Sequence, residues 1–273
     1  MSPGLRARGP SGVGFAVSPV PLRSDRGLSA DAPRRATGYT KSMVAKRRGT
    51  ARVAKQPFDI DVAMARLREA VRPYPPAVLF SLYDEGFTSL FQQVVACIIS
   101  IRTLEEVTGP AARRLLGRAG TPAAMLRLSP EQIAETIKPA TFYEPKGRWI
   151  HAIARVAEEQ HGGTLPCDGE LLQSLPGVGP KCANLALGIA CGVPLVAVDV
   201  HVHRVANRWG YIKTATPEQS SVALNQLLPE QYRIEINRLL VPFGKYICTG
   251  RRPHCSTCPL LDMCQQIGVA SHQ

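Results

Sequence analysis

The stretch Leu175-Pro-Gly-Val-Gly-Pro-Lys181-Cys-Ala-Asn-Leu185 decides the fold of this chain of 273 residues. Gly177 and Gly179 permit the positive dihedrals of a very tight turn, and Pro180 suits the start of the next helix. Backbone amides at such a turn point outward at the positive helix end, which is a phosphate site. The stretch therefore predicts two helices joined by an anion-binding hairpin, with a plain helix–helix turn as the alternative.

Helix signals recur on both sides of this hairpin. Apolar residues follow Asp59 at the period of one helix face, as Ile60, Met64, Leu67 and Val71. Four pairs have the spacing of a capping box: Ser89 with Gln92, Thr103 with Glu106, Ser129 with Gln132, and Thr216 with Gln219. The apolar segment 90–99 predicts a central helix, and the amphipathic segment 146–160 predicts another. No stretch shows a sustained alternation of apolar and polar residues, so we predict an all-α fold without a sheet.

Positive charge is concentrated at the N-terminus. Residues 1–56 contain 12 Lys or Arg and two acidic residues, whereas the other 217 residues contain 21 basic and 19 acidic residues. This segment is rich in Gly and Pro and poor in apolar residues, so we predict a disordered basic tail that attracts polyanions, above all nucleic acid. A signal peptide, an organelle transit peptide, or a later start at Met43 or Met64 are the alternatives for this segment.

The whole composition is that of a globular protein, with 45% hydrophobic and 20% charged residues. The length suggests roughly two domains. The longest nearly apolar stretch, Leu185 to Val198, is interrupted by glycine and proline and is shorter than the ~18 residues of a membrane-spanning helix. We therefore expect neither a wholly disordered protein nor a membrane protein.

Eight cysteines fall into two groups. Four crowd the C-terminus in the pattern C-x6-C-x2-C-x5-C, as Cys248, Cys255, Cys258 and Cys264. Four thiolates are the ligand set of a tetrahedral zinc ion or of an iron–sulfur cluster, and spacing alone does not choose between them. The others are predicted to be buried or free thiols in a reducing compartment: Cys97, Cys167, Cys182 and Cys191.

Lys181 and Asp199 are the candidate catalytic pair. A lysine in the first turn of a helix opposes the helix dipole, whose positive field favours the neutral and therefore nucleophilic amine. Asp199 begins the next apolar-faced segment, where it can cap a helix or serve Lys181. His201 and His203, taken alone, are expected to be solvated helix residues.

These motifs together resemble the endonuclease III family, part of the helix-hairpin-helix, Gly/Pro, Asp superfamily of DNA glycosylases. The resemblance rests on the hairpin with Lys181, on Gly192-Val-Pro194 followed by Asp199, and on the four-cysteine pattern, and it runs from about Asp59 to Cys264. It implies two helical domains flanking a DNA-binding cleft. A six-helix barrel with the hairpin would span residues 83–193, and an iron–sulfur-cluster domain would combine residues 57–82 with 194–273.

The resemblance also implies a function in base excision repair. A monomer would remove oxidised pyrimidines from double-stranded DNA with a damaged base or abasic site. Lys181 would form a Schiff base that leads to strand cleavage, Asp199 would assist, and the four C-terminal cysteines would hold a [4Fe-4S] cluster. The implied DNA contacts are Gly177, Val178, Gly179, Arg102, Phe142, His201, Arg251 and Arg252. The alternative is a non-catalytic or weakly active iron–sulfur protein that binds DNA and senses lesions.

Four positions depart from the family's usual residues. Arg102 stands in place of a glutamine that fills the gap left by a flipped base, and Phe142 stands in place of a leucine wedge. Pro180 replaces an arginine of the hairpin, and Gln173 stands where a glutamate is usual. We expect the first two changes to alter the choice of substrate. The expected location is intracellular: the cytoplasm or nucleoid of a bacterium, or the nucleus or an organelle of a eukaryote.

Overall fold

The computed structural model describes residues 55–273, so the predicted tail of residues 1–56 lies outside them except for its last two residues. These two are anchored to the C-terminal part of the chain. Lys55 donates a hydrogen bond to the carbonyl oxygen of Leu261, and the backbone N–H of Gln56 donates to that of Asp262 at 2.9 Å.

The described residues form twelve α-helices and no β-strand, which confirms the all-α prediction. The helices are α1 (Ile60–Val71), α2 (Val78–Asp84), α3 (Leu90–Ser100), α4 (Glu105–Arg118), α5 (Pro122–Leu126), α6 (Pro130–Ile137), α7 (Tyr143–His161), α8 (Gly169–Ser174), α9 (Pro180–Cys191), α10 (Val200–Trp209), α11 (Pro217–Leu227) and α12 (Glu235–Pro242). Short 3₁₀ turns lie at Glu230–Tyr232 and Cys255–Thr257, and a π-helical turn follows α12 at Phe243–Ile247. No described helix has the length and apolar character needed to cross a membrane.

Local capping signals explain where several helices begin. Asp59 accepts the N–H groups of Asp61 and Val62 at the start of α1. Ser89 and Ser129 form complete capping boxes at α3 and α6, as predicted. These contacts join residues within three positions of each other, so the sequence alone is enough to predict them.

The other two predicted capping boxes are wrong. The hydroxyl of Thr103 does not cap α4, because it accepts hydrogen bonds from the amine of Lys146 at 2.9 Å and from the backbone N–H of Thr141 at 3.1 Å. Thr216 does cap α11, but the side chain of Gln219 accepts from Ala215 instead of completing the box. Partners from distant segments have replaced the predicted pairing of Thr103, and the backbone amide of Ala215 has replaced that of Thr216 at the side chain of Gln219.

Residues 55–273 lie in one compact unit that contains two clusters of buried apolar side chains. The first draws mainly on α2 to α9, with α3 in contact with α4, α7 and α9. The second draws on α1 and on residues 196–263, including α10 and α12. Leu79, Phe80 and Leu82 pack into the first cluster although they precede residue 83. The domain boundaries given above stay a prediction.

Candidate functional site

A cavity of about 590 Å³ brings the two candidate catalytic residues together. Lys181 enters it from the first turn of α9, and Asp199 enters it from the position before α10. The other ionisable groups that line the cavity are Cys97, Arg102, Glu105, Cys182 and His201. The polypeptide segments that carry these residues lie far apart in the sequence and meet only in the folded chain.

The hairpin before Lys181 is a tight turn shaped by one glycine. Gly177 has a φ of +78°, and a Cβ atom built on it would lie 2.6 Å from the indole ring of Trp149. Gly177 is therefore required by both its dihedral and its contact. The same prediction is wrong for Gly179, whose φ is −93° because it is the extended N-cap residue of α9. A Cβ atom on Gly179 would meet no atom of the described chain within 4 Å.

The start of α9 presents unused hydrogen-bond donors. Within residues 55–273, the backbone N–H groups of Gly179, Lys181 and Cys182 have no acceptor, and no side chain caps this helix. Pro180 occupies the first helical position, as predicted, and has no N–H to satisfy. The positive end of α9 is consequently open beside Gly179, on the side where its missing Cβ leaves space.

The charge state of Lys181 differs from the prediction. Its half-buried position disfavours the charged amine, but the negative charges of Cys97, Asp199 and Glu105 outweigh burial and raise the pKa of Lys181. The helix field was expected to favour the neutral amine, and the acidic groups around it reverse that expectation. Lys181 must lose a proton before it can act as a nucleophile.

Asp199 combines the two roles that its sequence position allowed. Its Oδ1 atom accepts the N–H groups of His201 and Val202, each at 2.9 Å, which confirms the N-cap of α10. Both of these bonds use the same oxygen, so the cap does not occupy Oδ2. The carboxylate is thus fixed by the backbone while it keeps one oxygen for the cavity that it shares with Lys181.

The two histidines of α10 are less solvated than expected. His201 is half-buried, Arg204 donates to its Nδ1 atom at 3.2 Å, and burial lowers the pKa of its ring. His203 is also half-buried, with its Nδ1 atom 2.7 Å from the hydroxyl of Ser220. Only His201 lines the cavity of Lys181.

Two buried thiols form part of the cavity wall. Cys97 of α3 and Cys182 of α9 are 1% and 5% exposed, which confirms the prediction of buried thiols at these positions. The neighbouring thiol of Cys182 and the charge of Lys181 outweigh burial and lower the pKa of Cys97 to about 7. The neighbouring Cys97 and burial raise the pKa of Cys182 well above its usual value.

Arg102 and Phe142 stand together at the surface on two neighbouring loops. Both have left-handed backbones, with φ of 52° and 56°, and the guanidinium carbon lies 5.7 Å from the centre of the phenyl ring. Phe142 is 52% exposed, which is unusual for so large an apolar side chain. The two departures from the family's usual residues are therefore in contact.

Lys146, which sequence reasoning did not select, holds the Arg102 loop in place. Its amine is fully buried and donates to the carbonyl oxygens of Ile99 and Ile101, each at 2.7 Å, and to Thr103 at 2.9 Å. Since Lys146 lies in the first turn of α7, just after Phe142, it ties the two loops together. The only sequence signal was a lysine inside an otherwise apolar helix face.

A disulfide bond joins Cys167 to Cys191, so the prediction that these two are free thiols is wrong. Cys167 precedes the N-cap of α8, and Cys191 is the last residue of α9. The disulfide therefore joins the start of α8 to the end of α9, opposite the hairpin that connects these two helices. The sequence did not indicate it because 24 positions separate the two residues, whose Cα atoms are 6.2 Å apart in the fold.

The four C-terminal cysteines line one cavity between α10 and the chain end. None of them is in a disulfide, and buried apolar residues such as Trp209 and Phe243 complete the wall. No group of three or more His, Cys, Asp or Glu side chains within residues 55–273 has the arrangement of a single-ion site. Four sulfurs around one apolar cavity fit a sulfur-ligated group.

Two arginines of α10 brace the first cysteine, and sequence reasoning missed both. Arg208, only 7% exposed, donates to the sulfur of Cys248 at 3.3 Å and to the carbonyl oxygens of Thr249 and Gly250 at 2.6 Å. Arg204 donates to the carbonyl oxygens of Gly244 and Cys248. One helix thus carries Asp199 at its start and supports the cysteine loop near its end. Arg251 and Arg252 are exposed on that loop.

Comparisons with known proteins match both parts of this site. Residues 95–230, which include Lys181 and Asp199, match the family described as HhH-GPD superfamily base excision DNA repair protein. Residues 248–264, which begin and end at cysteines of the motif, match the iron-sulfur binding domain of endonuclease III. The C-terminal part of the chain is therefore an iron–sulfur binding domain, and the zinc alternative falls away.

Relatives and solved structures agree with this assignment. Endonuclease III of Thermotoga maritima is 39% identical over 198 residues, covering 72% of this chain and 90% of the relative. Endonuclease III of Escherichia coli K12 is 35% identical over 202 residues, covering 74% and 92%. The solved structure of "a Trapped Endonuclease III-DNA Covalent Intermediate: Estranged-Adenine Complex" superposes with a TM-score of 0.64 at 26% identity, covering 77% of this chain and 97% of that one. The chain belongs to the endonuclease III family of base excision DNA repair proteins.

Proposed function

We propose that this protein excises oxidised pyrimidines from duplex DNA and then nicks the strand, with Lys181 as nucleophile and Asp199 as its partner. Family membership gives the reaction class, a DNA glycosylase with AP lyase activity. The observation that carries the assignment of residues is the shared cavity: a lysine and a carboxylate, each at a helix start, face the same space beside an open anion site.

The glycosylase step begins with a proton leaving the ammonium group of Lys181. The free Oδ2 atom of Asp199 is suited to accept it or to stabilise positive charge that develops on the sugar. The amine nitrogen then bonds to C1′ as the bond from C1′ to the base breaks. The base leaves with the bonding electron pair and takes up a proton.

The lyase step follows from the same covalent intermediate. Opening of the sugar ring gives a Schiff base between Lys181 and C1′. Loss of a proton from C2′ then moves an electron pair toward the 3′ carbon and expels the 3′ phosphate. Water hydrolyses the Schiff base and returns the amine of Lys181.

The hairpin is suited to hold the DNA backbone near this centre. The unused N–H groups at Gly179, Lys181 and Cys182 are donors for a phosphate, and the open space at Gly179 permits close approach. Val178 is 6% exposed, so its contribution would come from the backbone rather than the side chain. Arg251 and Arg252 offer two further exposed charges for phosphates.

The iron–sulfur group is proposed to be a [4Fe-4S] cluster bound by Cys248, Cys255, Cys258 and Cys264. Such a cluster supplies rigid cross-links between distant parts of the chain and a redox-active centre. Arg208 is suited to orient Cys248, because it donates to both the sulfur and the neighbouring carbonyl oxygens. The intact protein is proposed to act as a monomer on duplexes that contain a damaged base or an abasic site.

The contact between Arg102 and Phe142 supports a role in choosing the substrate. A guanidinium plane and a phenyl ring both present flat faces that can stack on bases, and the two groups are already adjacent. We expect the double change Arg102→Gln with Phe142→Leu to alter the lesion profile. An unchanged profile across a panel of oxidised pyrimidines and opposite bases would disprove this role.

Borohydride trapping tests the proposed chemistry. The purified full chain is incubated under borohydride with duplexes that carry thymine glycol or an abasic site, beside Lys181→Ala and the exposed control Lys213→Ala. Trapping on both duplexes, lost only in Lys181→Ala, is the expected result. Trapping on the abasic duplex alone would reject thymine glycol as the lesion, and no trapping on either would favour a DNA-binding protein without catalysis.

A further inference from the structure

Two thiols in the cavity of Lys181 have no part in the reaction derived above. Cys97 and Cys182 are contributed by α3 and α9, which pack directly against each other. Both residues line the cavity with Lys181 and Asp199, and each thiol shifts the pKa of the other. Four other cysteines bind the cluster and two form a disulfide, so this pair is the remaining set of thiols in the described chain.

We propose that Cys97 and Cys182 form an oxidisable dithiol, and that peroxide converts it to a disulfide in the wall of the catalytic cavity. The inference rests on the proposed role of Lys181 only for its effect on activity, since the modification itself depends on the two thiols. The site is mostly shielded from bulk solvent but borders an open cavity, so it admits a small oxidant more readily than a bulky thiol reagent.

The arrangement meets the chemical requirements of a redox-sensitive cysteine. A thiolate is the reactive form, and the neighbouring Cys182 thiol and the charge of Lys181 both stabilise it at Cys97. A second thiol on the wall of the same cavity can then resolve the oxidised product. Cys97 is therefore the attacking residue and Cys182 the resolving one.

The reaction balances with hydrogen peroxide as the oxidant. The Cys97 sulfur attacks one peroxide oxygen, the O–O bond breaks, and hydroxide departs. The product is a sulfenic acid on Cys97. The Cys182 sulfur attacks the Cys97 sulfur, the S–S bond forms, and the S–O bond breaks with loss of a second hydroxide. The two thiol protons neutralise the hydroxides, so two thiols and one peroxide give one disulfide and two water molecules.

Oxidation changes the surroundings of Lys181. The negative charge of Cys97 holds the pKa of Lys181 up, and a disulfide has no such charge. The amine should therefore lose its proton at lower pH in the oxidised protein. The acidic limb of the trapping rate should therefore move to lower pH when the pair is oxidised.

The test compares reduced and oxidised holoprotein at a peroxide dose that leaves the visible absorbance of the cluster unchanged. Peptide mapping without reductant detects a link between Cys97 and Cys182, and borohydride trapping on an abasic duplex is measured against pH. The expected result is a linked peptide that dithiothreitol removes, with an acidic limb displaced to lower pH. A maleimide–polyethylene glycol reagent should label the native pair poorly.

Matched variants separate the site from other cysteines. Cys97→Val should show the displaced profile without peroxide and should not respond to peroxide, whereas Cys167→Ser with Cys191→Ala should respond like the wild type. Absence of the linked peptide in oxidised wild type, or a pH profile that does not move when it forms, would overturn the proposal. The wild-type comparison needs no variant to fold, and the peptide map is independent of whether Lys181 is the nucleophile.

Discussion

The disulfide between Cys167 and Cys191 gives a stability prediction that follows from chain length. The bond closes a segment whose ends are 24 positions apart, and that segment contains α8, the hairpin and the first turn that carries Lys181. For a closed loop of this size, the lost chain entropy of the unfolded state corresponds to roughly 3.5 kcal/mol at 25 °C. For a protein of this size, that equals a fall in melting temperature of about 7–14 °C.

The perturbation is Cys167→Ser, Cys191→Ala, or both together. Cys167 is exposed and Cys191 is half-buried, so little packing is lost and the broken link should dominate. Either single change breaks the same link, and the double variant should therefore lose about as much free energy of unfolding as each single one. Urea unfolding of the holoprotein, followed by far-ultraviolet circular dichroism, measures these values.

Two controls sharpen this test. Cys97→Val replaces a thiol elsewhere in the first core cluster and leaves the disulfide intact. A mild reductant should therefore lower the free energy of unfolding of Cys97→Val by the same amount as that of the wild type. Peptide mapping must show the link in the untreated wild type. Single and double variants that stay within about 1 kcal/mol of wild type would refute the argument from chain entropy.

Three further predictions follow from other contacts. Gly177→Ala should destabilise the fold by its positive φ and its contact with Trp149, whereas Gly179→Ala should leave urea unfolding unchanged and weaken DNA binding in a fluorescence anisotropy titration. Lys146→Met should cost roughly 3 kcal/mol or more in urea unfolding, because each buried acceptor left without a donor costs about 1–3 kcal/mol. Burial lowers the pKa of His201 below 6.5, so the unfolded state binds more protons than the folded state as the pH drops below 6.5. The free energy of unfolding should therefore fall in this range. His201→Gln should remove the contribution of His201 to this pH dependence, measured between pH 7.5 and 5.5.

Sequence predicted the parts of this structure that depend on near neighbours. The caps at Asp59, Ser89 and Ser129 and the helix start at Pro180 each involve residues within three positions. Family motifs also allowed Lys181 and the four cysteines to be selected as site residues, because the order and spacing of these residues reflect contacts that the family shares. The comparisons establish the family, while the roles of these individual residues stay predictions.

Three of the errors came from groups that found partners far along the chain. Thr103 was taken from its expected cap by Lys146, and Cys191 was paired with a cysteine on another element. Lys181 sits among acidic groups from three distant segments, which reverse the effect expected from its helix alone. Contacts of this kind form only when the two core clusters assemble, so the local sequence pattern does not predict them.

The central claim is that Lys181 forms the covalent bond to DNA. The most direct measurement is to trap the full chain on an abasic duplex with borohydride, digest the complex with protease and nuclease, and locate the added sugar by tandem mass spectrometry. The expected result is a single adduct on the side chain of Lys181. An adduct on any other amine, with Lys181 unmodified, would contradict it.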